Sequence, residues 1–382
     1  MERIYVDNSA TTAVSEKAFS AMLPYFREKF GNPSAIHSYG QEAKKALEDS
    51  RNTVAKAIGA YNNEIYFTSG GTESNNWAIN GVCQLKKDKG KHIISSAVEH
   101  SAVLRTLEKL ELRGYSITLL KTDKNGGISP EQLQNAIRED TILVSIMMAN
   151  NVVGTLMPVK ELCDTAHKHG VLFHTDAVQA ITHIPIDVHY LGIDLLSMSA
   201  HKLHGPKGVG ALFIRLPLHL PPYHTGGGQE KGLRSGTENV PGAAGMAVAV
   251  EEGVTALPAV TNSITSLRDK LIENILKIPG AYLTGDPVER LPGLASFVFE
   301  NIESALLINE LNEAGICASP GSACSASAKE GPHVLSAMGY DDDIARSALR
   351  ISLSAYNTEQ EMNYIIDKLP PMVAELRKNR LY

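Results

Sequence analysis

Asp194-Leu195-Leu196-Ser197-Met198-Ser199-Ala200-His201-Lys202 is the stretch on which the fold is read, with the Leu203-His204-Gly205-Pro206-Lys207-Gly208-Val209-Gly210 that follows it. It opens as a short apolar strand, shrinks to small and polar side chains, presents a lysine and breaks at Gly-Pro. A second apolar run, Ala211-Leu212-Phe213-Ile214, comes next. An ammonium group is costly to hold near a core. A partly desolvated lysine has a lowered pKa and attacks carbonyls to form Schiff bases. Lys202 is therefore either a loop lysine on the surface or a residue placed for chemistry, and the rest of the chain must decide.

Working outward, short β-branched or apolar runs alternate with longer helical patterns from about Glu64 to Arg215. The other runs are Ile65-Tyr66-Phe67, His92-Ile93-Ile94-Ser95, Ser116-Ile117-Thr118-Leu119-Leu120, Ile142 to Met147 and Val171-Leu172-Phe173-His174. That alternation predicts an α/β fold, a large domain whose mostly parallel sheet is flanked by helices. Ser129-Pro130-Glu131-Gln132 reads as a capped helix start. A helical pattern runs from Val240 to Ile278, and Pro258 is expected to break or kink it. Beyond it come a strand at Ser296–Phe299, a helix near Ser304–Ala314, a strand at Arg350–Leu353, and a Thr358/Glu361 capping box before a last helix. With 382 residues, two domains are the natural expectation. The boundaries read as 13–258 for the large domain, and 1–12 with 259–382 for a smaller α+β domain.

A formal net charge of −6 offers no general attraction to nucleic acid or to an anionic membrane. No apolar run is read as a membrane span. The first residues, Met1 to Val6, enter a strand pattern and lack signal-peptide character. Cys83, Cys163, Cys317 and Cys324 are too widely spaced to read as a disulfide framework, which fits a reducing cytoplasm.

Several stretches carry chemistry. Thr68-Ser69-Gly70-Gly71-Thr72-Glu73-Ser74 ends a strand and opens a helix. Its glycines and free N–H groups suit a phosphate, but an ordinary capped turn would read the same way. The G-x-G-x-x-G spacing of a dinucleotide site is absent, which disfavours a nicotinamide-dependent dehydrogenase. Asp176 ends an apolar strand pattern and needs a cationic partner, either an Arg or Lys or the protonated nitrogen of a bound pyridine. Asp176 and Lys202 fall at the carboxyl ends of successive strands, where α/β sheets bind ligands. An acid for a ring nitrogen, an amine for an aldehyde and a phosphate cradle are what pyridoxal phosphate requires. His100 opens a helix at the same edge, where its ring could be structural or could stack on a cofactor and pass protons. The remaining histidines have no metal-site spacing.

Gly321-Ser322-Ala323-Cys324-Ser325-Ala326-Ser327-Ala328 gives Cys324 little to pack against, so it reads as a reachable thiol on a mobile loop. The other three cysteines read as small core residues. Arg350 suits either a clamp on a substrate carboxylate or an ion pair with a nearby acid.

Taken together these motifs resemble the cysteine desulfurases of the NifS/IscS type, within the class V aminotransferase group of fold-type I pyridoxal-phosphate enzymes. The matches run in order through Asp7–Thr12, Gly31–Ser34, Thr68–Asn75, Glu99-His100, Asn150-Asn151, Asp176–Gln179, Ser199–Lys202, Gly227–Glu230, Arg234–Asn239, Gly321–Cys324 and Arg350–Leu353. The resemblance implies pyridoxal 5'-phosphate bound to Lys202 as a Schiff base, with Asp176 on the ring nitrogen and His100 stacked on the ring. It implies Gly71, Thr72, Ser199 and His201 on the phosphate, joined by Thr237 from a second subunit of a homodimer. Gln179 and Asn151 would touch the phenolic oxygen or the substrate, and Arg350 the carboxylate of L-cysteine. Cys324 would take the sulfur as a persulfide and could transiently ligate an iron–sulfur cluster. An iron–sulfur scaffold protein or another sulfur acceptor would follow. A selenocysteine lyase or other β-elimination enzyme, and a non-catalytic sulfur-relay scaffold, are the alternatives. The sequence departs from the family at Val152, where a glutamate is usual.

Overall fold

A computed structural model of the chain describes residues 3–321 and 332–379. Twelve strands are seen among them. In chain order they are β1 (Ile4–Tyr5), β2 (Ile65–Thr68), β3 (His92–Ser96), β4 (Ser116–Leu120), β5 (Thr141–Ser145), β6 (Leu172–Asp176), β7 (Leu195–Ser199), β8 (Gly210–Ile214), β9 (Ala281–Thr284), β10 (Leu294–Phe299), β11 (Ile316–Cys317) and β12 (Leu349–Ser352).

The seven runs that alternate with helical patterns all become strands of one sheet, in the order β2-β8-β7-β6-β5-β3-β4. Every neighbouring pair from β7 to β4 is parallel, whereas β8 runs antiparallel to both β7 and β2. The Gly205-Pro206 break explains the reversal, because a short connection can join only antiparallel neighbours. The strands read as unbroken apolar or small runs because both faces are covered. All five residues of β3, β5, β7 and β8 are buried. Helices Gly71–Leu85, Ser101–Glu111 and Val159–Lys168 supply that cover.

The helix Val240–Ile275 runs through Pro258 without interruption, against the expectation of a break there. Proline costs one backbone hydrogen bond and crowds the preceding turn. The helix absorbs this because both halves are fastened by packing. Its Ala/Gly-rich first half buries Ala243, Met246 and Val250 beside the helices Glu16–Met22 and Ser38–Ala57, and its second half buries Ile264, Leu271 and Ile275. By length and composition alone this helix could cross a membrane. Its alanines and valines are spread round its circumference and were not legible as one apolar run.

A second, antiparallel sheet has the order β12-β10-β9, and β1 pairs in parallel with β11. One apolar cluster joins Val6 to residues between Ile264 and Val373, including Phe297, Phe299, Ile351 and Met362. Two further clusters cover the two faces of the seven-stranded sheet, and the larger of them also takes in Leu291, Leu294, Val298 and Val334. Both expected capping boxes form. Ser129 Oγ accepts from the Gln132 amide, and the Gln132 side chain accepts from the Ser129 amide. Thr358 and Glu361 pair in the same way.

Candidate active site

The parallel strands deliver their last residues to one edge of the sheet. Asp176 ends β6, Ser199 ends the adjacent β7, and a single 3-10 turn, Ala200–Lys202, carries His201 and Lys202 just beyond. His100 follows β3 and caps the helix Ser101–Glu111, with its Nδ1 accepting from the Ala102 amide at 3.1 Å. Gly71 opens the helix Gly71–Leu85 directly after β2. Gly71, Thr72, His100, Asn151, Asp176, Gln179, Ser199, His201, Lys202 and Arg350 all line one cavity of about 300 Å³. A larger groove of about 540 Å³ runs beside the helix Val240–Ile275, between Ser15, His183 and Tyr356, and none of these ten residues lines it.

Of the other two expected residues, Thr237 is exposed and lies away from this cavity, and Cys324 lies outside the described residues. Cys83 and Cys163 are buried as expected, and burial pushes the Cys83 thiol up to about 12 and the Cys163 thiol higher still. Cys317 is only half-buried.

The charged groups are held by specific partners. Asp176 is buried, and its Oδ1 accepts from the Val178 amide at 3.0 Å. Its Oδ2 accepts from Asn75 Nδ2 at 2.6 Å. Lys202 Nζ donates to the carbonyls of Ser9 and Ala10 at 2.6 and 2.7 Å. Gln179 also donates to the Ser9 carbonyl, and the Thr12 amide donates to that of His201. Burial, aided by Lys202 and Lys207, lowers the His201 pKa to about 4, so it is a neutral imidazole at pH 7. Arg350 is buried and ion-paired with Asp7, which realises one of its two sequence readings without excluding the other.

Sequence reasoning marked Asp7–Thr12 as a family motif but gave it no role in the site, because only the folded chain brings it over the sheet edge. It also missed Asn75, although a signal existed: four residues after Gly71, it faces the same side of the helix. His333 was passed over, and Glu99, named only as part of the Glu99-His100 motif, was given no role. Glu99 is fully buried, and its Oε1 accepts from Ser96 Oγ at 2.6 Å and from the Met147 amide at 2.8 Å. Burial raises its pKa to about 8, and the Asp176 charge adds to that shift. His333 also lines the cavity and donates through Nε2 to the Glu99 carbonyl. Val152 lies buried in the cavity wall, and its backbone amide is tied to Asn150 Oδ1.

The residues present fit pyridoxal phosphate. No side chain caps the helix Gly71–Leu85, so its first N–H groups are left for an anion. A Cβ at Gly71 would come within 2.6 Å of Val178 Cγ2, so close approach is possible only without a side chain. Asn75 Oδ1 is buried and unpartnered among the described residues. The donor set is an amine, a buried carboxylate and an uncapped helix end around one cavity, which matches an aldehyde, a pyridine nitrogen and a phosphate.

Comparison with known proteins agrees with this geometry. The model of the family described as aminotransferase class-V matches residues 4–365. A protein named cysteine desulfurase IscS, from Methanosarcina thermophila, is 50% identical over 98% of this chain and 93% of its own length. Among solved structures, a NifS-like protein superposes with a TM-score of 0.92 at 41% identity, covering 98% of this chain and 100% of that one. SspA in complex with cysteine gives a TM-score of 0.83 at 35% identity, covering 93% and 100%.

Proposed function

Since this chain belongs to the aminotransferase class-V family, we infer from its relatives and its site that it is a cysteine desulfurase, converting L-cysteine and a protein thiol into L-alanine and a persulfide. The observation that carries the reading is the meeting of Lys202, Asp176 and the uncapped Gly71 helix end in one cavity.

Pyridoxal phosphate, when bound, supplies an electron sink for the substrate carbon. Lys202 is the residue to hold its aldehyde, and Asp176 its ring nitrogen. Asn75 and the Val178 amide donate to Asp176 and fix the orientation of its carboxylate toward the ring nitrogen. Gly71 and Thr72 offer backbone N–H groups to the phosphate, with Ser199 beside them. Neutral His201 joins as a hydrogen-bond donor rather than a second cation. His100 has its Nδ1 occupied by the Ala102 amide, so its Nε2 carries the proton in the neutral ring and can be exchanged with substrate. Gln179 and Asn151 complete the contacts to the phenolic oxygen or the substrate. Arg350 binds the substrate carboxylate.

Cys324 is the thiol in this reading. Its sulfur bonds to the substrate sulfur, the carbon–sulfur bond breaks, and the carbon gains a proton as alanine leaves. The persulfide then passes to an acceptor, such as an iron–sulfur scaffold protein or the machinery that thiolates tRNA and cofactors. We place the reaction in the cytoplasm. The free thiols of Cys83, Cys163 and Cys317 support reducing surroundings. A homodimer is part of the reading, with Thr237 reaching the neighbouring phosphate. Phe19, Leu23, Phe26, Phe30, Ile36 and Tyr39 are all exposed within one short stretch, an apolar surface that a second copy would cover. The proposed domain division, 13–258 against 1–12 with 259–382, is supported by the apolar cluster that joins Val6 to residues between Ile264 and Val373.

Replacing the nucleophile tests the reading. Cys324→Ser should still bind L-cysteine but yield no sulfide under reducing conditions. Full sulfide production by that variant would refute the persulfide step.

A further inference from the structure

Arg350 is surrounded more specifically than a carboxylate anchor needs to be. A guanidinium has five N–H donors in a planar fork. Nη1 donates to the Asn151 carbonyl at 2.8 Å and to the Gly321 carbonyl at 2.9 Å. Nη2 donates to Asp7 Oδ1 at 2.6 Å. Nε is buried and has no partner among the described residues. What remains is Nε–H and the second hydrogen on Nη2, the side-on edge that receives a carboxylate in a bidentate pair. Two contacts on Nη1 fix one corner of the fork. A contact at Nη2 holds the opposite corner, next to the Nε edge.

Asp7 is itself registered on the strand that carries Arg350. Asp7 bridges to Ser352 of β12, the Asn8 amide donates to the Ser352 carbonyl at 3.2 Å, and the Ser352 amide donates to the Val6 carbonyl at 2.7 Å. The backbone that carries its carboxylate is therefore held in fixed register with Arg350.

We propose that Asp7 is a positioning residue that turns the Arg350 guanidinium so that its Nε edge meets the carboxylate of the amino-acid substrate. This rests on the reading of Arg350 as the carboxylate anchor. Asp7 touches neither the substrate nor the reacting atoms. Its effect falls on substrate binding and requires the substrate to have a carboxylate.

The test uses the holoenzyme with Asp7→Ala, Asp7→Asn and Arg350→Gln. Asp7→Ala should raise KM for L-cysteine about tenfold and leave kcat within about twofold, as expected for loss of uniform binding. Asp7→Asn keeps an oxygen for Nη2 and should restore KM to within about threefold of wild type. Equilibrium binding, followed by cofactor absorbance, should weaken in Asp7→Ala for L-alanine and stay unchanged for cysteamine, which has no carboxylate. An unchanged KM in Asp7→Ala overturns the proposal. So does an equal loss for cysteamine, or an Asp7→Asn variant as impaired as Asp7→Ala. Should Asp7→Ala not fold, Asp7→Glu, which moves the carboxylate by one methylene, must show the same selective rise in KM. Arg350→Gln separates the two readings: if it leaves L-alanine binding intact, the anchor itself is wrong. If it weakens that binding and Asp7→Ala does not, only the positioning role fails.

Discussion

Glu99→Gln should make this protein more stable at neutral pH, by an amount the structure sets. Glu99 is fully buried, and burial raises its pKa from 4.5 to about 8. Its Oε1 accepts two hydrogen bonds, and its Oε2 is unpartnered among the described residues. Because the folded pKa is raised, the folded protein keeps its proton over a range in which the unfolded chain gives it up. Stability from this group is whole below pH 4.5, falls as pH rises, and levels off above about pH 8. At pH 7 the accumulated cost is about 3 kcal/mol. Glutamine has the same shape, keeps the acceptor for Ser96 and Met147, and never ionises. The two proteins should melt together near pH 4.5 and separate by roughly 5 °C at pH 7, with the variant higher. Thermal unfolding from pH 4 to pH 9, read by dye binding or circular dichroism, gives the comparison. Parallel curves across that range, or a variant less stable at pH 7, would show that Glu99 is ionised in the folded state and refute the reasoning.

Other outcomes follow from particular contacts. Gly71→Ala places a Cβ within 2.6 Å of Val178, so affinity for pyridoxal phosphate, titrated by absorbance, should fall at least tenfold, and the overpacking should cost about 1–3 kcal/mol of stability. Asn75→Leu strips one of two donors from Asp176 and should also weaken cofactor affinity; an unchanged dissociation constant would mean that Asp176 does not need Asn75. Glu230→Ala leaves Arg51, only 2% exposed, as a buried cation without its bidentate partner, and should cost about 3–5 kcal/mol in chemical denaturation. Lys202→Ala should give a colourless protein after incubation with the cofactor, and a visible band in that variant would place the aldehyde elsewhere.

Much of the fold was legible because period and position carry it. Strands buried on both faces show as short apolar runs, and the residues just past them fall at one sheet edge whatever the intervening helices contain. That is why Asp176 and Lys202 could be placed together from spacing. Asp7 could not be placed in this way. Its contact with Arg350 spans nearly the whole chain and depends on β1, β11 and β12 meeting, which no local pattern encodes. Glu99 was hidden for a different reason, since a glutamate at a helix start normally reads as an exposed dipole partner. Pro258 does not break its helix, because packing holds both halves and outweighs the local cost. The reversal at β8 follows from the short Gly205-Pro206 connection and could have been read.

The central claim is that sulfur leaves L-cysteine by attack of a protein thiol and not by elimination. Supplying the purified, cofactor-loaded protein with L-cysteine and a reductant, and quantifying alanine, pyruvate and sulfide together, tests this most directly. Alanine and sulfide in equal amounts, with no pyruvate, are predicted. Pyruvate in step with sulfide, or no alanine at all, would contradict the account.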